Sequence, residues 1–326
     1  GPTLAAPYHL AGAVEGEPYG YGRYANPTWS AYEQAIGELE GGEALVLSSG
    51  MAGAGAILAQ LRPGEIAVLP SDAYNNVRDA ARLWSHGVQL RLVPTDERAV
   101  REALPGARIV WAETPSNPGL DVLDVAALAR DVHAAGALLV VDNTLATPLR
   151  QRPLELGADV SVMSASKFLT GHADLVLGCV TARDPELVAR LRSWRSTVGA
   201  IAGPFEVWLA HRSLATLAVR LERQETAART VVSALREHPA ATHVRWPGVG
   251  SVLSFELAGE EAAGRFFAAS QLVAEATSFG GVHTSAERRA RWGADDVAPG
   301  FVRLSCGIED PDDLVRDVRA ALDAAA

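Results

Sequence analysis

Segments with a helical spacing of apolar residues alternate along the chain with short, continuous apolar runs. Apolar positions three and four residues apart predict helices, whereas apolar runs of four to seven residues predict buried strands. The predicted helices span residues 30–39, 51–61, 73–84 and 125–136. The predicted strands span residues 43–48, 65–70, 107–113, 137–142 and 159–164. This alternation is typical of a mostly parallel sheet with helices on both faces, which is an α/β fold.

The order of the elements divides the chain into an arm and two domains. Residues 1–28 are rich in Gly, Pro and Tyr and lack periodicity, which predicts an extended N-terminal arm. The helix–strand alternation predicts a larger domain over residues 29–215. After a long helical region, strands at 251–257 and 300–306 with helices between and after them predict a smaller α/β domain over residues 216–326.

Composition narrows the class of function. The chain has 326 residues, of which 48% are hydrophobic and 21% are charged, and this is enough to build two domains with their own cores. A net charge of -10 disfavours nucleic acid and anionic membrane surfaces as partners. The two cysteines, Cys179 and Cys306, are far apart and suggest no disulfide framework. We therefore expect a cytoplasmic protein that acts on a small molecule.

One lysine, Lys167, stands out among the basic residues. The chain has 29 lysines and arginines together, and all the others are arginines. A general preference for arginine explains the missing lysines but not the one that is retained. A lysine amine can lose its proton and attack a carbonyl, whereas a guanidinium stays protonated. Lys167 is therefore a candidate for covalent chemistry.

Polar groups that could act together with this lysine follow other predicted strands. Asp142 ends one strand, Ser164 and Ser166 come just before Lys167, and residues 48–50 lead from a strand into a helix. Amides at a helix start bind anions, and ligands of parallel sheets bind beyond the carboxyl ends of the strands. Each residue also has an ordinary interpretation, because Asp and Ser are common in turns and helix caps.

Taken together, these groups are the ones that pyridoxal phosphate needs. The aldehyde of the cofactor needs a lysine, its phosphate needs N–H and hydroxyl donors, and its pyridine nitrogen needs a carboxylate. An aromatic ring stacked on the pyridine would complete the site, and Tyr74 follows a predicted strand directly. The eight histidines are scattered without metal-ligand spacing, so no metal site is predicted.

Six motifs occur in the order found in a known family. They are YGRYANPT at 21–28, SSGMA at 48–52, ETPSNP at 113–118, VVDNT at 140–144, SASKFLTGHADLVLG at 164–178 and VRLSCGIED at 302–310. Through them the chain resembles, over nearly its whole length, the Cys/Met-metabolism family of pyridoxal-phosphate (PLP)-dependent enzymes. The family includes cystathionine γ-lyase, cystathionine γ-synthase and methionine γ-lyase. The resemblance implies fold type I of the PLP-dependent transferases.

The resemblance also assigns roles around the cofactor. It implies that Lys167 bonds the cofactor and afterwards moves protons on the substrate, and that Asp142 pairs with the pyridinium nitrogen. It implies that Tyr74 stacks on the ring and assists proton transfer at the sulfur. The residues that it assigns to the phosphate are Gly50, Met51, Ser164 and Ser166. His172 has no chemical role in this interpretation and is a structural loop residue.

Further roles concern the neighbouring subunit and the substrate. The resemblance implies that Tyr21 and Arg23 reach the phosphate in a second subunit, so that the protein is a homo-oligomer, usually a dimer of dimers, with shared sites. Arg303 would clamp the substrate α-carboxylate, because a guanidinium fork suits a planar carboxylate. Asn117 is a candidate near the same carboxylate, and Ser278 is a candidate substrate-binding residue.

The implied reaction is γ-elimination on a sulfur amino acid, namely L-cystathionine to L-cysteine, 2-oxobutanoate and ammonia. Alternatives are cystathionine γ-synthase, which performs γ-replacement on an O-acylhomoserine, and methionine γ-lyase. A protein that keeps the fold but only binds the cofactor or a partner is a further alternative. Two departures bear on the choice: residues 74–77 read YNNV where many members have YGGT, and Thr277 stands where cystathionine-handling members often carry glutamate.

Overall fold

The computed structural model describes residues 1–10, 12, 16–84 and 87–326. The helices in these residues are α1 (Pro27–Glu40), α2 (Gly50–Leu58), α3 (Asn75–Trp84), α4 (Glu97–Ala103), α5 (Val125–Ala134), α6 (Pro185–Val198), α7 (Pro204–Leu214), α8 (Leu217–Glu237), α9 (Glu260–Ala269) and α10 (Pro311–Ala325). The strands are β1 (Glu43–Leu47), β2 (Ile66–Pro70), β3 (Gln89–Val93), β4 (Ala107–Glu113), β5 (Leu138–Asp142), β6 (Val160–Met163), β7 (Gly178–Ala182), β8 (Thr242–Arg245), β9 (Val252–Glu256), β10 (Ala274–Glu275), β11 (Ser285–Arg288) and β12 (Phe301–Ser305).

The larger sheet has the strand order β1-β7-β6-β5-β4-β2-β3. Strand β7 is antiparallel to both of its neighbours, and all other pairs are parallel, so the predicted mostly parallel sheet is confirmed. Because two antiparallel steps restore the direction, β1 runs the same way as β2 to β6. The carboxyl ends of these strands therefore meet at one edge of the sheet.

Alternate side chains of each strand pack into one or the other of two apolar layers, because successive side chains of a strand point to opposite faces. Leu45 and Leu47 pack with α2 and α6, whereas Ala44 and Val46 pack with α1 and α7. Further along the sheet, α4 and α5 cover the second face around β4 and β5. Helices cover both faces, as the sequence pattern predicts.

The second sheet has the order β10-β11-β12-β9-β8 and packs against α9, α10 and the later part of α8. Leu217 and Leu221 of α8 still belong to a core cluster of the first sheet, whereas Ala227 and the buried residues after it belong to that of the second. Helix α8 thus joins the two cores. The domain division at residue 215 stays a prediction.

Helix boundaries follow local capping chemistry. Helix α1 begins at Pro27, three residues before its predicted start, because the Asn26 side chain accepts a hydrogen bond from the Trp29 amide at 2.9 Å. Before α1 the described residues contain no helix, and Pro7 and Tyr21 form an isolated bridge. Among the described helices, none is long and apolar enough to cross a membrane.

Candidate active site

A cavity of about 520 Å³ lies beyond the carboxyl ends of β1, β2, β4, β5 and β6, and residues of the second sheet close it. Most of the residues predicted from sequence line it together. They are Gly50, Met51, Tyr74, Asn117, Asp142, Ser164, Ser166, Lys167, Ser278 and Arg303. The first eight follow or end strands of the larger sheet, and the last two come from the second part of the chain.

Lys167 presents its amine to this cavity. Its Nζ atom donates a hydrogen bond to Ser278 Oγ at 2.6 Å and lies 5.1 Å from the centre of the Phe279 ring. Burial, and to a smaller extent the positive charge of Arg303, lower the pKa of Lys167 from its usual 10.5 to about 8. The amine therefore releases its proton far more readily than an exposed lysine does.

The loop that carries Lys167 is anchored by a buried arginine. Arg220 is only 4% exposed, and it donates to the carbonyl oxygens of Phe168 at 2.8 Å and Ser213 at 3.1 Å. A β-carbon on Gly171 would lie 1.9 Å from Arg220 Nη1, and the φ angle of +70° at this position also favours glycine. The glycine of the TGH sequence is thus explained by the close approach of the guanidinium.

The turn from β1 into α2 is the segment for which the sequence predicts an anion cradle. The Ser49 side chain caps α2 by accepting from the Ala52 amide at 3.0 Å, and Ser49, Gly50 and Met51 line the cavity. Gly50 packs on the loop after β6, where an added β-carbon would lie 2.9 Å from Ser164 Cβ.

Ser166 is oriented differently from the predicted phosphate ligand. Its hydroxyl donates to the Leu177 carbonyl at 3.1 Å and accepts from the Leu177 amide at 2.9 Å. Both contacts are to backbone, so in this structure the hydroxyl proton of Ser166 points to the Leu177 carbonyl, and it would have to turn toward a phosphate in order to donate to it. The amide of Ser164 donates to Thr144 Oγ1 at 2.8 Å, which ties the cradle to the end of β5.

Two carboxyl groups, that of the buried Glu113 and that of the half-buried Asp142, lie side by side where β4 and β5 end. Glu113 and Asp142 are direct neighbours in the register of these strands. Burial raises the pKa of both groups, and the charge of Asp142 raises that of Glu113 further. Asp142 Oδ1 accepts from the amide and hydroxyl of Thr144 at 3.0 and 2.6 Å. Asp142 has no ion pair with a described residue, so a cationic ring nitrogen would supply a missing countercharge.

Tyr74 stands beside this pair at the start of α3. Its amide donates to Glu113 Oε2 at 2.9 Å, and its hydroxyl accepts from Asn76 Nδ2 at 2.9 Å. Its side chain is 39% exposed, which leaves a ring face available to a ligand. The YNNV sequence thus places the side-chain amide of Asn76 as a hydrogen-bond donor to the phenol oxygen of Tyr74.

Arg303 is held as a fixed fork. Its Nη1 donates to Asn117 Oδ1 at 2.6 Å, and its Nη2 donates to the Ser278 carbonyl at 3.2 Å and to Glu287 Oε2 at 3.0 Å. Burial lowers the pKa of Arg303 to about 10, but the group remains cationic at neutral pH. Ser278 has a left-handed φ of +80°, a strained conformation that aims its carbonyl at Arg303 and its hydroxyl at Lys167.

Three of the sequence-selected residues lie outside this cavity lining. Tyr21 is 44% exposed, and Arg23 Nη1 donates to the Ser196 carbonyl at 2.6 Å. Their predicted role in a second subunit stays a prediction. The His172 ring contacts the Thr170 carbonyl at 2.6 Å, which agrees with a structural loop residue.

Sequence reasoning missed several residues of the site. Glu113 and Thr144 stand inside the ETPSNP and VVDNT motifs, so the motifs themselves carried a signal for them. Phe279, Glu287 and Arg289 belong to the second part of the chain, where no periodic pattern or strand end singled them out.

The donor set fits pyridoxal phosphate. The amine of Lys167 suits the aldehyde, the start of α2 suits the phosphate, the uncompensated carboxylate of Asp142 suits the ring nitrogen, and the ring of Tyr74 suits stacking. Arg303 offers a separate anion site for a substrate carboxylate.

Comparisons with known proteins agree with this fit across nearly the whole chain. The family model described as Cys/Met metabolism PLP-dependent enzyme matches residues 5–323. A Streptomyces coelicolor protein with the provisional name cystathionine gamma-lyase is 52% identical over 99% of this chain and 88% of its own length. The solved structure of a methionine gamma lyase from Micromonospora echinospora has a TM-score of 0.92 and 37% identity, and the match covers 98% of this chain and 92% of that one. A cystathionine gamma synthase from Xanthomonas oryzae pv. oryzae in complex with cystathionine has a TM-score of 0.94 and 33% identity, with 100% and 92% covered.

Proposed function

The chain belongs to the Cys/Met metabolism family of PLP-dependent enzymes, and from this premise we propose that it is a carbon–sulfur lyase that performs γ-elimination on L-cystathionine. The products would be L-cysteine, 2-oxobutanoate and ammonia. The observation that carries the proposal is the amine of Lys167, with its pKa lowered to about 8, in the same cavity as the fixed guanidinium of Arg303.

Three side chains of the cavity have separate roles in the proposed reaction. Arg303 binds the α-carboxylate of the substrate, with its fork held by Asn117 and Ser278. Pyridoxal phosphate, when bound, supplies an electron sink for the negative charge that develops on the substrate carbon. The Lys167 amine takes a proton from the α-carbon and afterwards one from the β-carbon, so that the bond from the γ-carbon to sulfur can break, and the hydroxyl of Tyr74 gives a proton to the departing sulfur.

Two other reactions of the same family are the alternatives. Thr277 lines the cavity with a neutral side chain, and this favours a methionine γ-lyase, whose substrate has no distal amine. The fold similarity to a cystathionine gamma synthase supports a γ-replacement on an O-acylhomoserine. The polar side chains around Lys167 argue against a protein that only binds the cofactor.

We expect cystathionine alone to give 2-oxobutanoate and a free thiol. The test supplies the purified holoenzyme with L-cystathionine, with L-methionine, and with an O-acylhomoserine in the presence and absence of L-cysteine. Keto acid, thiol and cystathionine are quantified separately. Reaction of only the O-acylhomoserine and cysteine pair would make the protein a γ-synthase and remove the lyase assignment, and turnover of methionine alone would make it a methionine γ-lyase.

We also propose the domain division at residues 28 and 215, a cytoplasmic location and a dimer of dimers in which Tyr21 and Arg23 reach the phosphate bound by a second subunit. The position of both side chains outside their own cavity lining supports the shared site.

Loading of the apoenzyme with cofactor should accelerate with pH and level off near pH 8. Only the neutral amine attacks an aldehyde, and burial lowers the pKa of Lys167 to about 8. Below that pKa the neutral fraction rises about tenfold per pH unit, and above it the fraction is nearly constant. The initial rate of the absorbance change after mixing measures this at constant ionic strength. A rate that still climbs steeply between pH 9 and 10 would indicate a lysine with an ordinary pKa.

A further inference from the structure

A second guanidinium, that of Arg289, lines the same cavity as Arg303. Its residue is 7% exposed, so it is a buried group rather than a surface charge. Nη1 donates to Glu287 Oε2 at 2.9 Å and Nε donates to Asp295 Oδ2 at 2.8 Å, while Nη2 lies 2.6 Å from Asp295 Oδ2. A guanidinium has five N–H donors, and these contacts use three of them. Two donors therefore lack a partner among the described residues.

The position of Arg289 relative to Arg303 is set by a shared carboxylate. Glu287 Oε2 accepts from both guanidiniums, at 2.9 Å from Arg289 and 3.0 Å from Arg303, and Thr277 Oγ1 lies 3.4 Å from the same atom. Glu287 thus fixes two cations next to each other along one wall of the cavity. Both guanidiniums line one cavity, so a substrate that Arg303 holds by its α-carboxylate can reach Arg289 with its other end.

The unpartnered N–H donors on this wall favour an anion over a cation at the far end of the substrate, because the carboxylates beside them are already paired. Glu287 is 1% exposed, and its other oxygen accepts from Trp292 Nε1 at 2.5 Å, so its charge is enclosed by donors. The charge of Asp295 is likewise enclosed by donors, which Arg289 supplies. Thr277 contributes a neutral hydroxyl where a carboxylate would attract an ammonium group. The remaining lining carboxyl groups, Glu113 and Asp142, lie at the strand ends that hold the cofactor.

We propose that Arg289 is a specificity-determining residue that binds a second carboxylate at the distal end of the substrate. The site then prefers amino acids with an anionic tail, such as L-cystathionine or an O-acylhomoserine with a dicarboxylic acyl group, over those that end in a methyl or acetyl group. The inference rests on the proposed function, because Arg303 must hold the α-carboxylate at the other end.

The test uses two unreactive ligands that differ only at the tail. L-2-Aminosuberate ends in a carboxylate at the position of a distal cystathionine carboxylate, and L-2-aminooctanoate ends in a methyl group there. Neither has a leaving group on its γ-carbon. Binding to the holoenzyme is followed by calorimetry and by the cofactor absorbance for the wild type, Arg289→Gln, Arg289→Lys and Arg291→Met.

Arg291→Met is the matched control. Arg291 lies in the same turn, is exposed and pairs with Glu275 at 3.0 Å, so its replacement removes the same charge without changing the cavity lining. Arg289→Gln keeps donors for Glu287 while removing the charge. Arg289→Lys keeps the charge and loses the fork geometry.

The wild type and Arg291→Met should bind aminosuberate about tenfold more tightly than aminooctanoate, which corresponds to about 1.4 kcal/mol. Arg289→Gln should lose this preference through weaker aminosuberate binding alone, and Arg289→Lys should keep part of it. An equal loss for both ligands in Arg289→Gln would mean that Arg289 only supports Glu287 and Arg303, and this would overturn the proposal. So would the absence of a preference in the wild type, which needs no variant to fold. Failure of the lyase proposal would be seen instead in the product assay.

Discussion

Replacing Lys167 by arginine should reduce kcat/KM by about a thousandfold or more, while the protein still folds. The substitution keeps a positive charge in a half-buried position, so a purely electrostatic role of Lys167 would survive it. A guanidinium does not lose its proton and cannot bond an aldehyde or take a proton from carbon. The pKa of the Lys167 amine is lowered to about 8, and this matters for the reaction only if the neutral amine takes part in it.

The composition of the chain makes this experiment unusually clean. Lys167 is the only lysine of the sequence, so it is the one side-chain primary amine that a cofactor aldehyde can bond. Borohydride reduction of the wild-type holoenzyme, followed by peptide mapping, should place the cofactor on the peptide that contains Lys167. The same treatment of Lys167→Arg should trap none there. Turnover by the variant, or trapping in the wild type only outside the Lys167 peptide, would contradict the assignment.

The elements that sequence predicts best are those whose pattern is set by burial alone. Strands β1, β2, β4, β5 and β6 are covered by helices on both faces and are recognisable as apolar runs. Strand β3 was missed because it lies at the sheet edge, where Gln89 and Leu92 are exposed and Arg91 interrupts the apolar run. Strand β7 was missed because its GCVTA sequence has a single large aliphatic residue, and its place between β1 and β6 depends on pairing with distant strands.

The residues of the site also differ in whether a local sequence pattern predicts them. Asp142, Ser164 and Lys167 could be predicted because a strand end aims its last residues at one rim, whatever the rest of the chain does. Glu287 and Arg220 could not, because their partners are distant in sequence: Glu287 meets Arg303 from a neighbouring strand, and Arg220 meets the lysine loop from α8. Contacts of this kind follow from strand pairing and helix packing and leave no local pattern in the sequence.

The second large effect is expected at Asp142. Asp142→Asn should lower kcat by about a hundredfold to a thousandfold while the cofactor stays attached to Lys167. Asparagine has the same shape, and its carbonyl oxygen can still accept from the amide and hydroxyl of Thr144. What it loses is the negative charge that keeps a ring nitrogen protonated and the electron sink effective. Steady-state kcat, together with borohydride trapping at Lys167, separates this loss from loss of the cofactor.

The neighbouring carboxyl supplies the control, because Glu113→Gln makes the same chemical change one strand away. Burial and the charge of Asp142 raise the pKa of Glu113, which favours the protonated, neutral form of this carboxyl group. A glutamine then resembles the group that it replaces and still accepts from the Tyr74 amide. We expect less than about a tenfold change in kcat. Equal losses of kcat in the two variants would mean that Glu113 and Asp142 share the negative charge that the ring nitrogen needs. Full activity of Asp142→Asn would show that Asp142 is not the partner of the ring nitrogen.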